Sequence, residues 1–325
     1  MNKESRMKKQ NLKSALFSLA PALGLLFLFA VFMVLAILRD VNISYSFKNI
    51  FNQSLVVIVV ATGAIFIYTL GAFDISLGAS MCVSALLSAM VYQRTGSVLL
   101  MFLSGVGVAV LISLVSSMLA SVFNLPVFVT TIAMLSLLNA LVLTLIGVNG
   151  TGDIIQVPAN AVKAYNTVPV KLLLLLGYLV LCIVCFDYLK LGREEKFQGG
   201  NPVCSKLTGL NGNTLAILGF CIAGLGVGLG AFLTIVYAPT LSRNTASSVG
   251  MDVIIAIVFG GMPVSGGARS KIYSATIGAV SMTLLNQIML MLNFNSGIGQ
   301  IIKSVIFILV VFISMSDNRK KILPR

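Results

Sequence analysis

Long apolar runs, separated by short polar stretches, dominate the chain from residue 15 to residue 316. A helix that crosses a bilayer needs about 20 apolar residues, and this length divides the pattern into ten candidate spans. They lie at residues 15–38, 53–72, 75–92, 98–122, 126–147, 168–189, 214–237, 251–264, 272–293 and 301–316. The eighth is short and rich in glycine, so we expect it to be broken or re-entrant. The pattern predicts an all-α polytopic membrane protein.

Composition agrees with this prediction. The chain is 58% hydrophobic and only 10% charged, whereas soluble domains carry about 25% charged residues. A single soluble core could not bury so much apolar surface in a chain of 325 residues. The first run is too long for the core of a signal peptide and lacks a clear cleavage site, so we predict a retained first span.

The distribution of basic residues predicts the orientation. Ten spans place both termini on one side of the membrane. If that side is the cytoplasm, the cytoplasmic segments hold 15 of the 22 Lys and Arg residues and the opposite side holds 7, as the positive-inside rule requires. We therefore expect cytoplasmic basic termini at residues 1–14 and 317–325, a single transmembrane domain at 15–316, and a cytoplasmic loop at 190–213.

Several classes of chemistry are excluded by what the sequence lacks. The net charge of +13 comes from basic residues between apolar runs rather than along one face, which argues against nucleic acid as a partner. The absence of histidine removes imidazole bases and histidine metal sites. No Gly-Lys pair exists, so the chain has no Walker A loop for ATP. We predict that the protein is not an enzyme and has no catalytic or metal site.

The loop at 190–213 is unusually polar, with six charged residues among the 22 positions from Lys190 to Asn211. Asn201 is a favourable N-cap, and Pro202 suits the first helical position. Gly209 is a natural C-terminal stop. These residues predict a short helix over residues 202–208.

Val203, Cys204 and Leu207 fall on one stripe of this predicted helix. A two-turn helix is marginal in water by itself, so we expect it to be docked. One interpretation places it on its own membrane domain or on the lipid surface. The other inserts it into a cytoplasmic partner, and helix physics alone leaves both open.

The loop reads Gly192-Arg193, then Gly199-Gly200-Asn201, then Leu207-Thr208-Gly209-Leu210-Asn211. This order resembles the coupling loop of the permeases of ribose/galactose/xylose-type ABC importers. In that family the loop forms a helix that sits in a cleft of the ATPase subunit. The resemblance implies an ATPase-coupling role for Gly192, Arg193, Gly199, Gly200, Asn201, Ser205, Leu207 and Gly209.

Four further motifs resemble the same family in the same order, so that the resemblance covers about residues 53–316. They are the stretches 71–78, 124–131 and 259–267, and Asn286 with Lys303. The sequence departs from the family pattern at Asn124, where lysine is common, and by one extra residue after Gly267. Candidate residues of a translocation pathway in these motifs are Asp74, Ser76, Phe128, Thr130, Gly260, Gly261, Ser265 and Asn286.

Each of these candidates also has a structural interpretation. Asp74 could cap the third span instead of lining a pathway. Thr130 could satisfy a carbonyl of its own helix. Gly260 and Gly261 could allow tight helix packing rather than an irregular backbone beside a water-filled path.

The resemblance implies a permease in the cell membrane that moves a solute by alternating access. Its partners would be a second copy in a homodimer, a cytoplasmic ATPase with two fused cassettes, an extracytoplasmic solute-binding protein and membrane lipid. ATP and Mg would bind to the ATPase, so we expect no cofactor in this chain. The candidate pathway contains no basic or acidic cluster, which favours an uncharged solute. A monosaccharide is the first choice, and a nucleoside or an autoinducer sugar derivative is the alternative.

Two other classes of membrane protein are alternatives to an ABC permease. An ion-coupled secondary transporter would need intramembrane ionisable residues, for which the candidates are Asp74, Asp187, Asp252 and Lys303. A membrane enzyme is a weaker alternative, because the chain has no histidine and no paired carboxylates at membrane depth.

Overall fold

The computed structural model describes the backbone of residues 3–149 and 154–319 and the side chains of residues 19–147 and 154–312. Most of this backbone is helical. The helices are α1 (Lys3–Leu38), α2 (Ile43–Thr69), α3 (Leu77–Thr95), α4 (Val98–Val122), α5 (Val127–Asn149), α6 (Ala159–Val162), α7 (Val168–Ile183), α8 (Lys190–Gly200), α9 (Pro202–Leu207), α10 (Gly212–Tyr237), α11 (Val249–Phe259), α12 (Tyr273–Met291) and α13 (Ser296–Arg319). The predicted all-α class is confirmed.

One small sheet departs from the all-helical pattern in the described part of the chain. Strands β1 (Ile154–Gln156) and β2 (Thr240–Ser242) pair antiparallel, with Ile154 opposite Ser242. Each strand has three residues, too few to produce a recognisable alternating pattern. The sheet joins the segment after α5 to the segment after α10.

Seven described helices are long and apolar enough to cross a membrane. They comprise the apolar part of α1 (Leu19–Leu38), α2, α4, the Val127–Gly147 part of α5, Val168–Tyr188, α10 and α12. Shorter apolar helices lie at Val249–Phe259 and Ser296–Phe312. The number of ten spans and the cytoplasmic side of both termini stay predictions. The side chains of the basic segments 1–14 and 317–325 lie outside those that the structure describes.

Helix α2 occupies the centre of the molecule. Its apolar residues from Leu55 to Tyr68 are buried on all sides, as is typical of a helix without a polar face. It packs against α10, α12, α11 and α7, and α10 packs in turn against α4. The helix begins ten residues before the predicted start at residue 53, because polar residues such as Ser46 and Asn52 hide its first turns in a hydropathy pattern while being buried in the fold.

The predicted eighth span is helical only from Val249 to Phe259, which makes α11 an 11-residue helix. Gly261 follows it with a φ of 92°, a left-handed conformation that favours glycine. The chain then continues without regular helix, apart from a 3-10 turn at Gly267–Arg269, until α12 begins. At about 1.5 Å per residue, α11 reaches roughly half of the hydrocarbon thickness.

The polar loop between α7 and α10 contains two helices. A π-helical turn, Val184–Tyr188, ends the α7 span, and α8 and α9 follow at once. The predicted short helix corresponds to α9, but α8 was not predicted. Its glycines and charged residues give no apolar periodicity, which is the main sequence signal for a helix.

Candidate functional site

Helix α9 begins with a capped N-terminus, as its sequence predicts. The Asn201 side chain accepts a hydrogen bond from the backbone N–H of Cys204 at 3.0 Å. Pro202 takes the first helical position, and Gly209 ends the segment with a φ of 82°. The short helix is therefore fixed at both ends by local contacts, which offset the cost of a helix this short.

The apolar stripe of α9 faces away from the rest of the chain. Val203 is 71% exposed and Leu207 is 83% exposed, and Cys204 is exposed beside them. Ser205 lies on the opposite side and is fully buried. The first sequence interpretation places the helix on its own membrane domain or on the lipid surface, and these exposures disagree only with a stripe that rests on the membrane domain. The stripe is left open to a partner or to lipid.

Helix α8 attaches this segment to the membrane helices through glycines, and we call this contact the glycine junction. Its members are Gly199 and Gly200 at the end of α8, Gly266 and Gly267 before α12, and the chain at Thr69–Gly71, where α2 ends. A side chain at Gly199 would overlap the carbonyl of Thr69, and one at Gly267 would lie 2.9 Å from the Cα of Gly200. Three separate segments thus meet backbone to backbone.

The start of α8 is held in the same manner. Gly192 is buried against the backbone of Phe186 in the π-helical turn, so closely that a side chain there would overlap the Phe186 carbonyl. Arg193, the next residue, points outward and is exposed. The coupling candidates thus divide into two groups. Gly192, Gly199 and Ser205 pack toward the membrane helices, while Arg193 and Leu207 face outward.

Glu195 is a buried carboxyl that sequence reasoning missed. It lies on the inner face of α8, beside Gly219 of α10 and Phe66 of α2, and it is fully buried. Neither carboxyl oxygen has a hydrogen-bond partner among the described residues. Burial raises the pKa of Glu195 to about 9, although the neighbouring Lys196 lowers it. The carboxyl is therefore neutral at pH 7.

Asp74 and Ser76 contact each other in the turn before α3. Oδ1 of Asp74 accepts hydrogen bonds from the backbone N–H of Ser76 at 2.8 Å and from its hydroxyl at 2.7 Å. Both side chains are buried. The aspartate thus fixes a local turn three residues before the first residue of α3, Leu77. Gly71, three residues before Asp74, belongs to the glycine junction, and a side chain there would lie 3.2 Å from the carbonyl oxygen of Ser265.

The two candidates on α5 lie in different environments. Phe128 is 50% exposed on the outer surface of the protomer. Thr130 is buried, and its hydroxyl donates to the carbonyl of Val127 at 3.0 Å. The threonine therefore satisfies its own helix, as buried threonines in membrane helices commonly do.

Three further candidates, Gly260, Gly261 and Ser265, follow α11 and have different surroundings. A side chain at Gly260 would overlap the Ser274 carbonyl of α12, and one at Gly261 would lie 2.8 Å from Pro21 of α1. Close packing thus explains both glycines. Ser265 is exposed at the edge of the glycine junction.

Asn286 belongs to a different place, the buried cluster with Asp252 and Lys303. Nζ of Lys303 lies 2.5 Å from Oδ1 of Asp252, and the Asn286 amide nitrogen donates to Oδ2 of Asp252 at 3.1 Å. The cluster ties α11, α12 and α13 together. Sequence reasoning named all three residues but did not pair the two charges, because 51 positions separate them.

The ionisable residues considered for ion coupling all have local partners. Asp252 pairs with Lys303, and Asp74 is bonded by Ser76. Asp187 pairs with Lys196 at 2.9 Å, next to the polar loop. Contacts of this kind give each of these four residues a structural role, so none of the four supports the ion-coupled alternative.

Comparison with known proteins decides the family. The family described as "Branched-chain amino acid transport system / permease component" matches residues 46–314. The chain belongs to this permease family. The resemblance found in its sequence motifs is thereby confirmed, and the permease is a multi-pass protein of the cytoplasmic membrane.

Relatives of the permease match over most of their length. The ribose import permease protein RbsC of Escherichia coli K12 is 22% identical over 311 residues, which cover 90% of this chain and 93% of the relative. RbsC of Bacillus subtilis 168 is 23% identical over 335 residues, with 98% of each chain covered. The galactose/methyl galactoside import permease protein MglC of Escherichia coli K12 is 23% identical over 295 residues, which cover 84% and 88%. No solved structure matches the permease.

Proposed function

We propose that this chain is the membrane-spanning subunit of an ATP-dependent importer for a monosaccharide. The names of its relatives support a sugar, since they include permeases for ribose and for galactose and methyl galactoside. The neutral character of the candidate pathway supports an uncharged solute, because Asp252 is balanced by Lys303. Residues 15–316 form the permease domain in this proposal.

The observation that carries the proposal is the uncovered apolar stripe of α9. Val203 and Leu207 are 71% and 83% exposed on a helix that is capped at both ends and anchored through α8. Exposed apolar side chains on a rigid element are typical of a docking surface. The fitting occupant is a cleft of a separate ATPase, since this chain has no Walker A loop.

The glycine junction gives the proposed coupling a physical route. ATP-driven movement of the cassettes would displace α9 and, through α8, the end of α2 and the segment before α12. Backbone contacts at Gly199 and Gly267 contain no flexible side chain that could absorb the displacement. The pathway would then alternate between outward and inward access. The other proposed partners are a second copy of the chain and an extracytoplasmic solute-binding protein.

Reconstitution in liposomes tests this function. The chain is incorporated with and without its ATPase and solute-binding protein, and uptake of radiolabelled D-ribose and D-galactose is measured with ATP or a non-hydrolysable analogue. We expect uptake only with all three components and hydrolysable ATP. Uptake by this chain alone, driven by a proton or sodium gradient, would contradict the proposal. Competition by unlabelled adenosine that is stronger than competition by any sugar would transfer the proposal to nucleosides.

A further inference from the structure

A cavity of about 200 Å³, lined by both polar and apolar side chains, lies inside the single protomer, where α2, α3, α10, α11 and α12 meet. The segment 243–248, which joins β2 to α11, supplies part of its wall. The cavity is remote from α9, because Thr234 in its lining lies 22 residues after Gly212, where α10 begins. At 1.5 Å per helical residue, this places it roughly 33 Å from the coupling segment along α10.

The wall of this cavity has little net charge. Asp252 is the one charged side chain among the described residues that line it. Its two carboxylate oxygens are already bonded, one to the Lys303 ammonium at 2.5 Å and the other to the Asn286 amide at 3.1 Å. Lys303 approaches from α13, behind the wall. The pair therefore presents a neutral, hydrogen-bonded surface, which neither attracts an anion nor holds a free cation.

The polar side chains that line the cavity include both donors and acceptors. Donor groups are carried by Gln53, Tyr237, Asn244, Ser247 and Ser248, and the acceptors include two threonines and an asparagine. Thr234 and Thr283 donate their hydroxyl hydrogens to the carbonyls of Gly230 and Val280, each at 2.9 Å. Their oxygens keep lone pairs with no hydrogen to give. Oδ1 of Asn286 is buried and has no partner among the described residues. The amide cannot turn round, because its oxygen would then meet the Asp252 carboxylate.

A neutral wall with both donors and acceptors is complementary to a neutral ligand with many hydroxyl groups, because a hydroxyl both donates and accepts. Leaving a buried acceptor such as Asn286 Oδ1 unpaired costs free energy, so a donating ligand gains from entering. The volume corresponds to roughly half a dozen waters at about 30 Å³ each. One monosaccharide ring fills such a space, whereas a disaccharide exceeds it.

We propose that this cavity is a solute subsite within one protomer, and that it binds a neutral, polyhydroxylated ring of monosaccharide size at the end of the permease opposite the coupling segment. The inference rests on the proposed sugar import and adds the residues that select the solute. Thr234, Thr283 and Asn286 accept hydrogen bonds from the ring hydroxyls. Asp252 and Lys303 are positioning residues, because they hold Asn286 in its orientation.

The test uses the complete importer in cells without their own sugar transporters. Initial uptake of radiolabelled D-ribose, D-galactose and 2-deoxy-D-ribose is compared for the wild type, Thr234→Val, Thr283→Val and Asn286→Leu. Loss of one hydrogen bond lowers uptake by roughly three- to tenfold. The loss is smaller for the sugar that lacks the hydroxyl concerned, so the ratio between ribose and deoxyribose changes. A merely structural role would reduce all sugars equally.

Thr62→Val is the matched control. Thr62 is equally buried in α2 and donates to the Ile58 carbonyl at 2.7 Å, but it does not line the cavity. We expect its uptake ratios to equal those of the wild type. If the three cavity variants also keep the wild-type ratios while the wild type imports sugar, the subsite is overturned and the importer function survives. If the wild type imports no sugar with all partners present, both proposals are overturned.

Discussion

Nζ of Lys303 and Oδ1 of Asp252 lie 2.5 Å apart, and both side chains are buried between α11 and α13. Removing either partner leaves the other charge buried and unpaired. We therefore expect Lys303→Met to destabilise the protein by about 3–5 kcal/mol. The double variant Lys303→Met with Asp252→Asn should lose less stability than the single variant Lys303→Met, because neither side chain is then charged. Thermal unfolding in detergent measures each cost.

Lys196→Met provides the comparison for this ion pair. Lys196 also pairs with an aspartate, Asp187, but the two side chains are 22% and 45% exposed. A partly exposed pair contributes about 1 kcal/mol or less. Equal unfolding temperatures for the two lysine variants would show that the Lys303 pair has no special structural role.

Leu207→Asp should separate folding from coupling. Because Leu207 is 83% exposed, the variant should keep the wild-type unfolding temperature. Burying a leucine side chain is worth about 1.5–3 kcal/mol, so affinity for the ATPase should fall at least about tenfold. Binding of the purified ATPase to the detergent-solubilised permease measures this loss. The control is Lys206→Asp, which changes the exposed neighbouring residue beside the apolar stripe. Equal, undiminished binding in both variants would assign the stripe to lipid.

Gly199→Ala and Gly200→Ala form a matched pair in the glycine junction. A side chain at Gly199 would overlap the Thr69 carbonyl, whereas one at Gly200 would meet its nearest atom at 3.8 Å. Overpacking costs about 1–3 kcal/mol, so Gly199→Ala should destabilise the protein and reduce uptake. Gly200→Ala should change stability by no more than about 0.5 kcal/mol. Similar unfolding temperatures in the two variants would argue against a tight junction.

Asn201→Ala tests the cap of α9. The substitution removes the acceptor for the Cys204 N–H, which typically costs about 1 kcal/mol. Amide hydrogen exchange in α9 should accelerate about fivefold, which is the equivalent of that free energy. Asn201→Ser keeps a capping oxygen and should restore slow exchange. An unchanged rate in Asn201→Ala would mean that packing, rather than the cap, maintains the helix.

Glu195 should make stability depend on pH. The pKa of this carboxyl rises on folding to about 9, first because of burial. The unfolded chain releases the proton at lower pH than the folded one. Glu195 therefore makes its full contribution to the free energy of unfolding at pH values below its pKa in the unfolded chain. This contribution is lost as the pH rises toward its pKa in the folded protein. Two other titratable groups lie close to the Glu195 carboxyl, namely Lys196 on the same helix and Cys185 in the π-helical turn.

The neutral variant Glu195→Gln removes this dependence. We expect it to unfold at a higher temperature than the wild type at pH 8.5, by roughly 2–4 °C for each kcal/mol gained. The two proteins should unfold at similar temperatures at pH 5. A wild-type unfolding temperature that rises from pH 5 to pH 8.5 more than that of Glu195→Gln would contradict a neutral buried carboxyl.

The sequence predicts what depends on local patterns. The apolar runs predicted the long helices, because a helix that crosses the bilayer must be apolar over a continuous stretch of the chain. Asn201, Pro202 and Gly209 located α9 to within one residue, because capping is a local interaction. Helix α8 was missed, although Gly192, Glu195 and Gly199 are spaced so that they share one helical face. That spacing is the one signal in the sequence that this face of α8 packs closely against other helices.

Contacts between residues that are far apart in the sequence leave no such local pattern. Lys171 is buried, with Nζ 2.5 Å from the Asn52 side-chain oxygen. The 119 residues between Lys171 and Asn52 give no pattern that joins them. The cavity at Thr234 and Thr283 is likewise built by five helices, so its existence follows from packing and not from any one segment.

The glycine junction determines where this permease could be recombined with others. A chimera that exchanges only residues 190–213, in order to pair the membrane domain with a foreign ATPase, would place a new α8 against Gly266 and Gly267. Any donor with a larger residue than glycine at position 199 would collide with the Thr69 carbonyl. The exchangeable unit must therefore include the loop, the 266–267 segment and the chain at Thr69–Gly71, so the interchangeable module of the protein is discontinuous along the chain.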